Sequence, residues 1–302
     1  MSSVHTTAYQ RLVAAAAGLK VPDAVRDVAT APPQDPQPGQ IWRAVWEHTI
    51  QLLLITAAGD DDTLCAVPAS FERYADPDTL LLPAQATTLE QPLALWWGLE
   101  ATLPWWVLDR QISELTPRPP TLTSRTLADA VPGTRWGSGT AGSAATTEYR
   151  EILADQLAFL AAAQWVPEGS GGLNQLFRDH SISVAQLVAE LELPPPQALA
   201  VWRGQLALTA DQATTLAKRL EQPASQLLAA NPALPPAVVH ELNHPLRRQQ
   251  LKALAAQHHE SEHDARLRAA YGIYTLAARD EDRTQPDWTA RTDRYFELRL
   301  GK

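Results

Sequence analysis

Two kinds of hydrophobic pattern divide the chain. Between residues 41 and 108 the apolar residues come in short runs, 41–46, 50–56, 63–68, 79–82 and 105–108, with Gly59-Asp60-Asp61-Asp62 as a turn between the second and third. Runs of this length and spacing predict strands of a small barrel or sandwich. From residue 148 the period becomes helical, with Leu153, Leu157, Leu160 and Trp165 marking a long helix that Pro167-Glu168-Gly169 ends. Ser183 with Gln186, and Thr209 with Gln212, each place a hydroxyl and an amide three residues apart. That spacing is a capping box, in which each side chain satisfies an orphan backbone N–H at a helix start. The stripes that follow, Val184, Leu187, Val188 and Leu191, then Ala213, Leu216, Ala217 and Leu220, each put one helix face on a core. Between them Pro194, Pro195 and Pro196 suit a turn and a first helical turn, so a short helix runs from about 195 to 203 and Gly204 follows it as C′ residue.

The flanks are read from composition. Residues 6–20 form a short Ala-rich helix, 31–40 a Pro/Gln linker, and 116–147, rich in Pro, Thr, Ser and Gly, a second linker. The segments 246–256 and 262–278 read as a helical hairpin with exposed His and Arg. Tryptophan is frequent, ten in all, with adjacent pairs at Trp96-Trp97 and Trp105-Trp106. On a strand one member of each pair would face the core and the other away from it.

At 302 residues the chain has room for two or three domains. No apolar run reaches the roughly 18 residues that span a bilayer, and the longest candidate is broken by Glu100 and Pro104. With no leader-like start and a lone Cys65, the expectation is a cytoplasmic protein without a membrane anchor, a disulfide framework or a multi-cysteine zinc site. The net charge of −9 means that the whole-protein field repels phosphate. Any attraction to nucleic acid has to come from local clusters, such as Arg247, Arg248 and Lys252, or Arg266 and Arg268.

The order of segments from Leu173 through the Ser183, Pro195 and Thr209 helices to Ala230, with Val201-Trp202-Arg203-Gly204 closing the third, resembles the Cro/cI repressor type of helix-turn-helix domain over about 55 residues. The resemblance implies that the helix ending at Arg203 is a recognition helix lying in the DNA major groove. Gln197, Arg203 and Gln205 are then its polar readers, with Arg247 and Arg248 as added phosphate contacts. Family members usually open the second helix with Gln, where Val184 stands here, and the recognition helix with Ser, Arg or Thr, where the three prolines stand. So few readers imply a homodimer on double-stranded DNA, because a second half-site adds discrimination.

The N-terminal runs resemble the SH3-like barrel of the PemK/MazF toxin family. Pro38-Gly39-Gln40-Ile41-Trp42 is similar to its opening strand, Cys65-Ala66-Val67-Pro68-Ala69-Ser70 to its central strand, and Leu108-Asp109-Arg110-Gln111-Ile112 to its closing segment. The family's Lys-x-Arg-Pro element is missing, with His48-Thr49-Ile50-Gln51 in its place, and only Ser70 matches a catalytic position. A non-catalytic partner or ligand module is implied.

His240-Glu241-Leu242-Asn243-His244 matches His-Glu-x-x-His, which on a helix puts two imidazoles on one face for zinc with the Glu as general base. It resembles the zincin metallopeptidases, including the ImmA/IrrE type, with a third ligand from among His258, His259, Glu260, Glu262 and His263. Pro245 opposes this, since a residue before proline is pushed out of the α region.

The expectation is an α+β multidomain chain: an N-terminal helix and linker (1–35), an SH3-like β-barrel (36–115), a flexible linker (116–145), a helix-turn-helix bundle (146–231) and a C-terminal helical region (232–302). The expected function is a DNA-binding transcriptional regulator or antitoxin-like protein, a reading that calls for no cofactor, while enzyme activity stays open with zinc as its possible cofactor. A zinc peptidase and a protein-interaction component with a degenerate helix-turn-helix stand as alternatives.

Overall fold

Alternating and continuous apolar runs leave one or both faces of a strand ready to be covered, and they pair accordingly. The computed structural model describes residues 35–59, 61–71, 74–119, 121–137, 143–166, 171–277 and 287–301. The expected helix at 6–20 and residues 31–34 of the expected linker lie outside them, as do Pro167-Glu168-Gly169. The strands are β1 (Gln40–Trp46), β2 (Thr49–Ala58), β3 (Thr63–Phe71), β4 (Thr79–Leu82), β5 (Leu93–Trp96), β6 (Ala101–Pro104), β7 (Leu108–Glu114) and β8 (Arg135–Trp136). They form one eight-stranded sheet in the order β7-β1-β2-β3-β5-β4-β8, with β6 on β3. With a helical region after it, the chain is α+β.

The sheet is open where a closed barrel was expected. Its ends, β7 and β8, are not neighbours in the strand order, and past the end of β7 the described residues show one isolated β-bridge, Thr87 to Leu115, in place of a ladder. Closure requires a continuous staggered ladder. Here Ala84–Ala86 coil into a 3₁₀ turn where that ladder would run.

Two compact units divide the chain, one within 1–103 and 107–161, the other of Pro104–Trp106 with Ala162–Lys302. In the first, one sheet face carries Ile41, Leu54, Val67, Leu80, Leu93 and Leu95 into a core that also contains Leu122, Leu127 and Val131. The last three flank or belong to α1 (Ser124–Ala130), which Thr123 and Thr126 start with a capping box. The described residues 116–119 and 121–137 of the stretch expected as a flexible linker are thus part of the sheet domain. The stretch's Pro/Thr/Ser-rich composition hides three buried apolar residues, one on and two beside a helix of two turns that is too short to show a period. Leu127→Ala is expected to destabilise this unit by about 2–3 kcal/mol in urea denaturation, where a linker residue would change nothing.

The helix α2 (Ala144–Ala161) buries Leu153, Leu157 and Leu160 and packs on β1 and β2, so it belongs with the sheet and not with the helical bundle. Trp165, expected as its last core position, lies beyond its end and donates Nε1–H to Asn243 Oδ1 at 2.7 Å. Of the tryptophan pairs, Trp96 ends β5 while Trp97 opens a 3₁₀ turn (Trp97–Leu99), and Trp105 and Trp106 both lie on another (Trp105–Val107), where a strand was expected. Trp96 is fully buried, and Trp97, Trp105 and Trp106 are half-buried.

In the second unit five short helices come first: α3 (Leu173–Asp179), α4 (Val184–Leu191), α5 (Pro195–Trp202), α6 (Ala210–Leu220) and α7 (Ala224–Ala229). Both expected capping boxes are present, Ser183 with Gln186 and Thr209 with Gln212. Pro195 and Pro196 take the first helical positions of α5, and Gly204 turns the chain out of it at φ +69°. Leu173, Phe177, Leu187, Val201, Leu216 and Leu227 form the shared interior.

The helices α8 (Pro236–Asn243), α9 (Pro245–His258), α10 (Glu262–Ala277) and α11 (Trp288–Leu300) complete this unit. They join the five-helix segment through Arg268, which pairs with Asp211 at 2.7 Å, and through Tyr271, whose hydroxyl donates to the Leu228 carbonyl at 3.3 Å. The segments 171–231 and 232–301, expected as separate domains, are one packed body.

Candidate nucleic-acid interface

The end of α5 is built by contacts from its neighbours. Trp202 lies half-buried and donates Nε1–H to the Ile182 carbonyl at 2.8 Å, while Asn174 of α3 donates to the Trp202 carbonyl at 2.9 Å. Arg178 stacks its guanidinium over the Trp202 ring at 5.5 Å. Arg203 and Gln205 follow directly and are exposed, as is Arg178. Gln197, on the first turns of α5, is half-buried. Two exposed guanidinium groups therefore share one helix end. Arg178 was missed by sequence reading because its neighbour lies 24 positions away in the chain and only the packing of α3 on α5 brings them together.

The other end of α5 is different. Pro194, Pro195 and Pro196 are exposed, and a proline has no backbone N–H. This helix start therefore lacks the donors that make a helix N-terminus an anion site. Over residues 171–231 four Lys or Arg face five Asp or Glu, and Arg219 is tied to Glu190.

Arg247 and Arg248, expected as phosphate contacts, are buried instead, at 9% and 1% exposure. Arg247 pairs with Glu241 at 3.0 Å and with Asp293. Arg248 pairs with Glu262 at 3.0 Å and donates to the Trp106 carbonyl at 3.2 Å. Arg266, also 1% exposed, shares Glu262 at 3.0 Å, donates to the Leu242 carbonyl and faces the Trp165 ring at 6.0 Å. Burial pushes its pKa down to about 10, with Glu262 opposing the shift, so it stays charged near neutrality. Arg268 is pushed the other way, mainly by its hydrogen bonds to Glu260. The hairpin expected to show exposed arginines holds them inside because each has a carboxylate or carbonyl within reach, a pairing that charge counting along the sequence does not show.

The His-Glu-x-x-His residues do not fit a zinc site. His244 leaves the helix at φ −64° and ψ 133°, as Pro245 requires, and its Nδ1 accepts the Leu246 N–H at 3.1 Å as the cap of α9. A neutral imidazole that accepts at Nδ1 carries its proton on Nε2, which is then a donor and not a ligand. Glu241 is held by Arg247 and Thr289, Glu260 by Arg268, and Glu262 by two arginines. The rings of His240 and His244 lie 6.4 and 6.0 Å from that of Trp105. Among the described residues no group of three His, Cys, Asp or Glu is placed to hold a metal ion.

In the sheet domain Ser70 is 6% exposed and its Oγ accepts the Trp96 Nε1–H at 2.8 Å. Asp109 is buried in the irregular stretch of the β1–β7 pairing and accepts from Arg43 Nε at 2.7 Å. Neither group is offered to a substrate phosphate. Among the described residues no helix is long and apolar enough to cross a membrane. No family model matches the chain, and no curated protein is similar to it.

Proposed function

We propose that the chain binds double-stranded DNA through the end of α5 and acts, as a cytoplasmic homodimer, as a transcriptional regulator or antitoxin-like component. In this reading the sheet domain is a partner or ligand module. The observation that carries it is the pair of exposed arginines at Trp202, Arg178 stacked over its ring and Arg203 next to it in the chain, at the end of a helix whose order and Arg-Gly exit resemble a recognition helix. Gln205 and Gln197 add the uncharged donors and acceptors that base edges accept. With Arg247 and Arg248 buried, the phosphate contacts fall to Arg178 and Arg203. That small number calls for two half-sites.

A second reading has its own observation. The exposed prolines at 194–196 and half-buried Leu199 form an uncharged face on α5, which suits a protein partner better than phosphate.

Titration of the full chain into DNA from its own upstream region, at about 50 and 200 mM salt, separates the two. The first reading expects tight binding that falls steeply with salt. Arg203→Ala should weaken it across all sequences and reduce the salt slope by about one. No binding at low salt overturns it, and partner capture that survives Arg203→Glu then supports the second.

A further inference from the structure

We propose that the cavity bounded by the start of α6 and by α10 and α11 binds a small carboxylate-bearing molecule with an apolar body. The cavity measures about 270 Å³. That is just below the usual range for drug-sized ligands and suits on the order of ten non-hydrogen atoms. It is wholly contained in the helical unit.

The chemistry of its wall selects the ligand. Leu276, Leu298 and the Tyr295 ring supply apolar surface, and Leu298, at 66%, is the most exposed large apolar side chain among the described residues. Gly272 opens the floor: a Cβ there would lie 2.4 Å from Tyr295 Cε2, so any side chain would displace the ring that forms the wall. The polar groups are unevenly committed. Thr275 donates its hydroxyl proton to the Tyr271 carbonyl at 2.7 Å. Burial holds the Tyr295 phenol above its ordinary value, so the ring is neutral at physiological pH.

Two donors remain. The Thr209 hydroxyl oxygen accepts the Gln212 N–H at 3.3 Å, but its own proton has no acceptor among the described residues. Arg299 is exposed, stacks over Tyr295 at 5.8 Å, spends one of its five N–H groups on the Tyr295 phenol and has no carboxylate partner among the described residues. A guanidinium and a hydroxyl beside apolar walls fit a carboxylate on an aromatic or branched aliphatic body. A neutral ligand would leave the one charged group of the lining unused. Because Thr209 caps α6, the bound molecule touches the five-helix segment as well as the C-terminal helices.

The test is calorimetric titration of the full chain with benzoate and with benzamide, which differ in charge and hardly in shape. The proposal expects saturable one-to-one binding of benzoate, about tenfold tighter than benzamide. Arg299→Gln should bring benzoate down to the benzamide level. Arg294→Gln, an exposed arginine of the same helix outside the lining, should leave both unchanged. Equal binding of the two probes, no saturable binding of benzoate, or an unaltered preference in Arg299→Gln would overturn the site. None of these outcomes depends on whether α5 binds DNA.

Discussion

Glu262→Gln is expected to destabilise the helical unit by about 3–5 kcal/mol, the cost of leaving a buried charge without its partner. Its carboxylate is the shared counter-ion of Arg248 and Arg266, each 3.0 Å away and each 1% exposed. The glutamine amide keeps the shape and one acceptor oxygen but not the charge. Two guanidiniums would then face each other in a low-dielectric interior without the carboxylate they share, with the Trp106 and Leu242 carbonyls among their acceptors. The existing cost is already visible: Arg266 Nε is buried with no partner, and burial holds the group at about 10. The control is Glu190→Gln, which breaks the exposed pair with Arg219 and should cost less than about 1 kcal/mol. Urea denaturation followed by tryptophan fluorescence reads both, since Arg266 lies against Trp165. A loss below about 1 kcal/mol in Glu262→Gln would show that the buried charges are compensated without the shared carboxylate.

The second large effect is at Asn231. Its side chain is 1% exposed and meets the backbone of Leu208 twice, donating Nδ2–H to the carbonyl at 2.9 Å and accepting the N–H on Oδ1 at 2.8 Å. The amide thereby replaces the partner that a strand would supply to the loop between α5 and α6. Asn231→Ala leaves one buried donor and one buried acceptor unpaired, at about 1–3 kcal/mol each. The expected sum is about 4 kcal/mol, read as a lower denaturation midpoint. Asn231→Asp separates the terms: it keeps the acceptor for the Leu208 N–H but places a carboxylate oxygen against the Leu208 carbonyl. It should therefore recover little. A loss under about 1 kcal/mol in Asn231→Ala would mean that water takes over both bonds.

Elements whose signal is local were legible in the sequence. The boxes at Ser183 and Thr209, the prolines opening α5 and the exit at Gly204 are set within four residues by backbone hydrogen bonding and steric limits, and each stands where the residues predict it. The break at His244 is of the same kind, because Pro245 constrains only its immediate neighbour. Four of the five strand runs were legible too, but most of the 105–108 run coils into a 3₁₀ turn, and three tryptophans, Trp97, Trp105 and Trp106, lie on such turns. What failed were statements about what lies next to what. The 116–145 stretch has a linker's composition and a domain's burial, because three apolar residues suffice once a sheet face receives them. Of the five candidate contact residues, Arg203 and Gln205 are exposed, Gln197 is half-buried, and Arg247 and Arg248 are interior.

The sequence by itself determined the division into a β-rich first part and a helical second part, the helix starts and stops, and the conflict inside His-Glu-x-x-His. Hydrophobic period and capping act over a few residues and so are written in consecutive positions. Only the tertiary structure decided that the sheet stays open, that α1 and α2 belong to it, and that the arginines of α9 and α10 turn inward. It alone brought Arg178 to Trp202. Charge is a property of a residue, but exposure and pairing belong to its surroundings. A guanidinium goes inside only where carboxylates and carbonyls from distant parts of the chain converge on it.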